Sequence, residues 1–71
     1  MKPGDAIFSY DKVIHYLPED ASAWLGRGRA LRQLRRFAEA RTALTTALAL
    51  SDGVLPDVAT QVREIIAKLP P

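Results

Sequence analysis

Residues 21–54 read ASAWLGRGRALRQLRRFAEARTALTTALALSDGV. The spacing of apolar residues in this stretch is regular and has only two short interruptions. Apolar residues recur in it every three or four positions, which is the spacing of an amphipathic helix and not of a strand. The interruptions fall at 34–36 and at 51–53. The pattern therefore predicts two helices, from about 20 to 34 and from about 37 to 50. Because the connection between them is short, they should be antiparallel neighbours.

Helical spacing continues on the N-terminal side of this hairpin. We expect Asp5 to cap the start of a helix there and Pro18 to end it, because the residue before a proline is pushed out of the α region. The apolar residues of this helix fall on one stripe, which we expect to face the core: Ala6, Ile7, Tyr10, Val13, Ile14 and Leu17.

A fourth helix is expected after the hairpin. Gly53 is well placed to end the preceding helix in a left-handed conformation, and Pro56 is favoured in a first turn. The apolar seam of the fourth helix consists of Leu55, Val58, Val62, Ile65 and Leu69. This seam could form part of a coiled coil or lie on a membrane surface. The opposite face of the helix mixes charges of both signs, which favours a third role, capping of the hairpin core. The sequence thus predicts an all-α fold of four helices in antiparallel hairpins.

Composition excludes several classes of protein. The 71 residues include no cysteine and a single histidine, His15, so a disulfide, a thiolate zinc site and a histidine cluster are all excluded. No run of about 18 apolar residues is present to span a membrane, and the N-terminus lacks the apolar region of a secretory signal. We expect one soluble, cytoplasmic domain with no metal and no cofactor.

The chain repeats itself at a spacing of 34 residues. The first and third predicted helices align through Ala6 with Ala40, Tyr10 with Leu44, Val13 with Ala47, Ile14 with Leu48, and Pro18 with Asp52. Within 21–54, a pattern of large and small residues recurs at fixed gaps: Trp24, Gly28, Leu31, Phe37, Ala40, Leu44 and Ala47. Both the period and this pattern resemble the tetratricopeptide repeat (TPR) family, with departures at Arg27, where an aliphatic residue is usual, and at Asp52, where proline is usual.

The resemblance implies a short α-solenoid and a role in protein–protein interaction. Residues 21–54 would form a full repeat, and 4–17 would form the second helix of a preceding, partial repeat. Residues 55–69 would be the capping helix that commonly closes such arrays. The repeat positions are expected to be structural, with Gly28 and Ala40 at the helix crossing and Trp24 and Phe37 filling gaps between helices.

The sequence does not support a catalytic function. Ser9 and His15 share a helix but lie about 120° apart around its axis at 3.6 residues per turn. Gly26-Arg27-Gly28 lies inside a helical segment and lacks the lysine of a phosphate-binding loop. We therefore expect no enzyme.

One face of the second helix is a candidate binding surface. By resemblance, it lines the concave groove in which the family holds peptides, and its members are Ser22, Leu25, Arg29, Arg32 and Gln33. Two arginines on one face suit an acidic peptide, because a guanidinium can bind a carboxylate through two parallel hydrogen bonds. The alternative is a solvated face whose charges pair within the chain.

The arginines also suggest a second function. Five of them lie between Arg27 and Arg36, which favours nucleic-acid binding as the alternative to peptide binding. That function would need the basic residues to share a face with free aromatic rings, whereas Trp24 and Phe37 are expected in the core.

The outer side of the first helix is a candidate for self-association. Its residues are Phe8, Lys12, His15 and Tyr16. Here the first helix of the preceding repeat would normally pack, so the surface is either an unfinished edge of a larger TPR array or the interface of a homo-oligomer. We expect a homodimer or higher oligomer, because about three repeats are normally needed for independent stability.

Overall fold

The computed structural model describes residues 2–71, which form four helices. They are α1 (Pro3–Tyr16), α2 (Ala21–Gln33), α3 (Phe37–Ser51) and α4 (Pro56–Lys68). Within 2–71 there is no strand, so the predicted all-α fold is confirmed. Each helix packs against the next along the chain, and α2 also reaches α4. Among the described helices, α1 runs alongside α2 alone, which leaves one side of α1 uncovered.

The start of α1 differs from the prediction. Lys2 occupies the N-cap position, and a proline lies in the first turn, where its missing N–H costs no hydrogen bond. Asp5 therefore lies inside the first turn and does not cap the helix, so the predicted cap was wrong. Leu17, which precedes Pro18, leaves the helical conformation with φ −131° and ψ 71°, as expected of a residue before proline.

Three of the other helix ends show recognised capping features. The Asp20 carboxylate accepts a hydrogen bond from the backbone N–H of Ala23 at 3.2 Å and so caps α2. Gly53 has φ 75° just after α3, as predicted. The end of α2 is less usual, because Arg35 occupies the left-handed position that glycine normally fills, with φ 61°.

The core has two adjoining parts. One is built from α2, α3 and α4, and its buried residues are Leu25, Leu44, Ala47, Val62 and Leu69. The other lies between α2 and α3, with Leu31, Ala40 and Ala43 buried and Ile7 of α1 packed against it. Trp24 contacts both parts, and its Nε1–H donates to the carbonyl oxygen of Pro18 at 2.8 Å. This one side chain therefore joins the two parts of the core to the α1–α2 turn.

Helices α2 and α3 approach closely at Gly28. A Cβ atom at this position would lie 2.6 Å from Cγ of Leu44 and 3.4 Å from the carbonyl oxygen of Ala40. Gly28, Ala40 and Leu44 are all buried. The lack of a side chain at Gly28 is thus what allows this helix crossing.

Three residues predicted to face the core are exposed. Val13 is 38% exposed and Leu17 is 59% exposed. The reason is that α1 has only one neighbouring helix, α2, which covers only one side of α1. Leu55 is also exposed, because it precedes the first turn of α4 instead of lying within the helix. Those three assignments were wrong, whereas Val62 and Leu69 of the same predicted seam are buried.

Candidate functional site

Two adjoining hollows form a groove across α1, α2 and α4. The first hollow has a volume of about 410 Å³ and is lined by Ala6, Tyr10, Ser22, Leu25, Gly26, Arg29, Ala30 and Gln33. The second has a volume of about 260 Å³ and is lined by Arg29, Arg32, Gln61, Glu64, Ile65 and Lys68. Arg29 belongs to both linings, so the two hollows meet at its side chain. We call them together the groove.

Helix α1 supplies one wall of the groove through Tyr10. The Tyr10 ring lies directly against Gly26, where a Cβ atom would overlap its Cζ and Cε1 atoms. Glycine at this position therefore brings α1 close enough to α2 for Tyr10 to flank the first hollow. The sequence pattern predicts that Tyr10 faces the core, whereas the structure shows it half-buried beside the hollow.

The five residues predicted for peptide binding lie along the groove. Ser22, Leu25, Arg29 and Gln33 line the first hollow, and Arg32 lines the second. They are not equally accessible. Leu25 is only 8% exposed and belongs mainly to the core, whereas Ser22, Arg29 and Gln33 are exposed and Arg32 is half-buried. The polar members of the set are thus the ones that a ligand can reach.

The second hollow carries an excess of positive charge. Arg29, Arg32 and Lys68 face one acidic side chain, Glu64. Within residues 2–71, the ion pairs are Arg27 with Asp11 at 2.6 Å, Arg36 with Glu39 at 2.6 Å, and Arg63 with Asp52 at 2.8 Å. None of these pairs includes a cation of the groove. A carboxylate-bearing ligand would therefore meet three cations that no carboxylate of the described chain already holds.

Helix α4 contributes residues that sequence reasoning missed. Gln61, Glu64 and Lys68 line the second hollow, although the sequence indicates only that they belong to the polar face of a capping helix. A signal was present, since their spacing of three and four places them on one side of α4. What the spacing could not tell is that this side turns toward Arg29 and Arg32 of α2.

The arginines between 27 and 36 do not form one surface. Arg27 pairs with Asp11 of α1, and Arg36 makes two hydrogen bonds to Glu39 at the start of α3. Arg29 and Arg32 lie in the groove, and Arg35 lies in the turn after α2. This division offers a polyanion no continuous basic face, and nucleic-acid binding stays a prediction with less support than peptide binding.

The uncovered side of α1 is apolar. Phe8 is 72% exposed and Tyr16 is 75% exposed. They lie in a shallow hollow of about 480 Å³ lined by Phe8, Ser9, Lys12, Val13, Tyr16 and Leu17. Three of the four residues predicted for self-association meet in this hollow. The fourth, His15, lies beside it, with its ring edge-on to Tyr16 at a centroid distance of 4.9 Å.

Residues 2–71 contain no group of three or more histidine, cysteine, aspartate or glutamate side chains arranged to hold a metal ion. Their helices also lack the combination of length and apolarity that crossing a bilayer requires.

Comparison with known proteins adds one finding. A sequence profile of the tetratricopeptide repeat matches residues 2–54, well over half of the chain, and the match ends just before α4. No individual curated protein and no solved structure matches the chain.

Proposed function

The chain belongs to the tetratricopeptide repeat family, and on this premise we propose that it is an interaction module that holds an acidic segment of a partner protein in its groove. Repeats of this family generally bind proteins and are generally not catalytic. What the family does not specify is the chemistry of the partner. That part of the proposal rests on the side chains of the groove.

The second hollow is the observation that carries the proposal. Its three cations, Arg29, Arg32 and Lys68, have no ion pair among residues 2–71, whereas Arg27 and Arg36 of the same arginine cluster each pair with a carboxylate. Arginine recognises a carboxylate through a fixed pair of parallel N–H donors, so two arginines one helical turn apart favour two acidic groups. A run of aspartate or glutamate in the partner satisfies this requirement.

The first hollow supports a segment that is not acidic throughout. Its lining contains no charge other than Arg29, and Ala6 and the Tyr10 ring add carbon surface to it. Ser22 and Gln33 supply polar groups that can bond the main chain of a peptide. The bound segment would thus place an uncharged residue beside Tyr10 and its acidic residues beyond Arg29.

We further propose the same repeat organisation that the sequence suggests. Residues 21–54 form a full repeat, 4–17 form the second helix of a partial repeat, and 55–69 form the capping helix. The extent of the family match, which stops at the end of the full repeat, supports this division. In this arrangement the capping helix both closes the core and adds Lys68 to the groove.

The groove can be tested by reversing its charge. Arg29→Glu combined with Arg32→Glu should lower the affinity for a fluorescent acidic peptide by at least tenfold, since each lost charge-assisted bond contributes about 1.5–3 kcal/mol. The same peptide with Asp and Glu replaced by Asn and Gln should bind the unmodified protein weakly. Fluorescence anisotropy measures both affinities.

The matched control moves the same charge change out of the groove. Arg35→Glu combined with Arg36→Glu alters the turn between α2 and α3, which does not line either hollow. This variant should keep the affinity for the acidic peptide, and all variants should keep the helical circular dichroism. An equal loss of affinity for the acidic peptide in both double variants would refute the groove as an acid-recognition site. Equal binding of the charged and uncharged peptides would refute it as well.

The uncovered side of α1 supports self-association as a second property of the module. We propose that two or more copies associate through the surface that includes Phe8, Lys12, His15 and Tyr16. Large exposed aromatic side chains in one apolar hollow are typical of an interaction surface. Sedimentation equilibrium should show a mass above 7.8 kDa that falls on dilution, and Phe8→Glu should shift the protein toward the monomer.

A further inference from the structure

The exposed surface of α1 continues past the end of the helix. Beside the hollow that contains Phe8 lies another of about 510 Å³, lined by Tyr16, Leu17, Pro18, Glu19 and Asp20. The two hollows share Tyr16 and Leu17 and are similar in volume. We call them together the α1 surface. Its centre is apolar, and its two halves lie on either side of Tyr16 and Leu17.

The two halves carry opposite charges. The half nearer the N-terminus contains Lys12, and the other contains Glu19 and Asp20. The Asp20 carboxylate is engaged in capping α2, which leaves Glu19 as the acidic group available to a partner. Lys12 and Glu19 are both exposed, and neither takes part in an ion pair within the described part of the chain.

A surface with this arrangement is complementary to itself. A two-fold rotation about its centre lays each half of one copy over the opposite half of the other copy. We propose that the α1 surface binds a second copy of this chain across a two-fold axis at Tyr16 and Leu17, so that Lys12 of each copy faces Glu19 of the other. This inference rests on the self-association proposed above and specifies its geometry.

The charges select this register over a more obvious one. An axis through Lys12 would oppose Phe8 to Tyr16, which matches two aromatic rings. It would also bring the two Lys12 ammonium groups together at the axis, and like charges in that position oppose association. Moving the axis to Tyr16 turns the same lysine from a repulsive group into an attractive one.

The other end of the molecule disfavours an open chain of copies. Head-to-tail stacking would require the outer face of α4 to accept the apolar α1 surface. That face presents Asp57, Thr60 and Arg63 to solvent. The exposed apolar residues at this end, Val54 and Leu55, lie just before α4 and not on this face. We therefore expect the two α1 surfaces to cover each other and the assembly to close as a dimer.

Charge reversal tests both the pairing and the symmetry. Lys12→Glu alone and Glu19→Lys alone each place like charges at both symmetry-related contacts, and each should raise the dimer dissociation constant on the order of tenfold. Lys12→Glu combined with Glu19→Lys in the same chain should return it to near the original value. An equimolar mixture of the two single variants should also dimerise, because both contacts of the mixed dimer are attractive.

Sedimentation equilibrium at low ionic strength, about 50 mM, is the measurement, because salt screens exposed ion pairs. Arg63→Glu makes the same charge change as Lys12→Glu on α4, which does not touch α1, and should leave dimerisation unchanged. A monomeric unmodified protein at high concentration would overturn self-association and this geometry together, leaving the surface to another protein, while the groove proposal stands. The two-fold geometry alone would be overturned if neither single variant lowered the affinity of the dimer. It would also be overturned if the double variant did not restore that affinity.

Discussion

At the residue scale, the turn between α2 and α3 holds a left-handed backbone at a residue that disfavours it. The N–H groups of Arg35 and Arg36 donate to the carbonyl oxygens of Arg32 and Leu31, each at 3.0 Å. These two bonds are the Schellman arrangement that ends many helices. Arg35 has φ 61°, which costs a residue with a Cβ atom roughly 1 kcal/mol.

We therefore predict that Arg35→Gly stabilises the protein by about 0.5–1 kcal/mol, although glycine adds freedom to the unfolded chain. Arg35→Ala is the control, because it removes the same side chain and keeps the strain. Urea unfolding followed by the fluorescence of Trp24 measures both. If Arg35→Ala stabilised the protein as much as Arg35→Gly, the side chain and not the backbone would be the cause.

A second prediction concerns the crossing at Gly28. Gly28→Ala places a methyl group 2.6 Å from Cγ of Leu44, which is buried and cannot move freely. The overlap should cost about 1–3 kcal/mol and outweigh the better helix propensity of alanine. Gly4→Ala is the matched control, since no atom lies within 4 Å of its Cβ position, and it should be neutral or slightly stabilising. Equal effects in thermal unfolding would contradict the close crossing.

At the element scale, α4 completes the core that the hairpin cannot close alone. Val62 is fully buried against Leu25 and Leu44, and Leu69 packs beside it. Val62→Ala should destabilise the protein by about 2 kcal/mol, because it removes two methyl groups and leaves a cavity. Thr60→Ala changes an exposed residue of the same helix and should cost less than about 0.5 kcal/mol. Chemical denaturation that ranked the two equally would mean that α4 is not a structural cap.

The sequence predicted the positions of the helices better than it predicted which side of each helix is covered. Periodicity depends on side chains within one helix, so it located all four helices to within a few residues. Which side of a helix is covered depends on contacts with distant residues. Val13 and Leu17 share a stripe with Ile14 but lie beyond the reach of α2, and the sequence contains no signal of that limit.

The groove shows the same division between local and distant information. Arg29 and Arg32 could be placed on one face from their spacing along α2. Lys68 joins them only because α4 folds back against α2, a contact that no local pattern encodes. Tyr10 was misread as core for the same reason, since the glycine that accommodates its ring is 16 positions away.

At the scale of the whole molecule, the arrangement of the arginines makes a prediction about nucleic acids. Because ion pairs hold Arg27 and Arg36 and only Arg29 and Arg32 share the groove, we expect duplex DNA to bind weakly, with a dissociation constant of about 10⁻⁴–10⁻⁶ M at physiological salt. A salt titration by fluorescence anisotropy measures it. Tighter binding with a steep, linear dependence of log affinity on log salt would favour the nucleic-acid alternative over the acidic peptide.

The peptide groove is the central claim, and a nuclear magnetic resonance titration tests it most directly. The backbone amide signals of the ¹⁵N-labelled protein are followed at fixed protein concentration as the acidic peptide is added, so that self-association does not change. The account predicts that the signals that move are those of the groove: Ser22, Arg29, Gln33, Gln61 and Lys68. Thr42 and Thr45, on the exposed side of α3, should stay in place. Shifts concentrated on α3 or on Phe8 and Tyr16, with the groove unaffected, would contradict it.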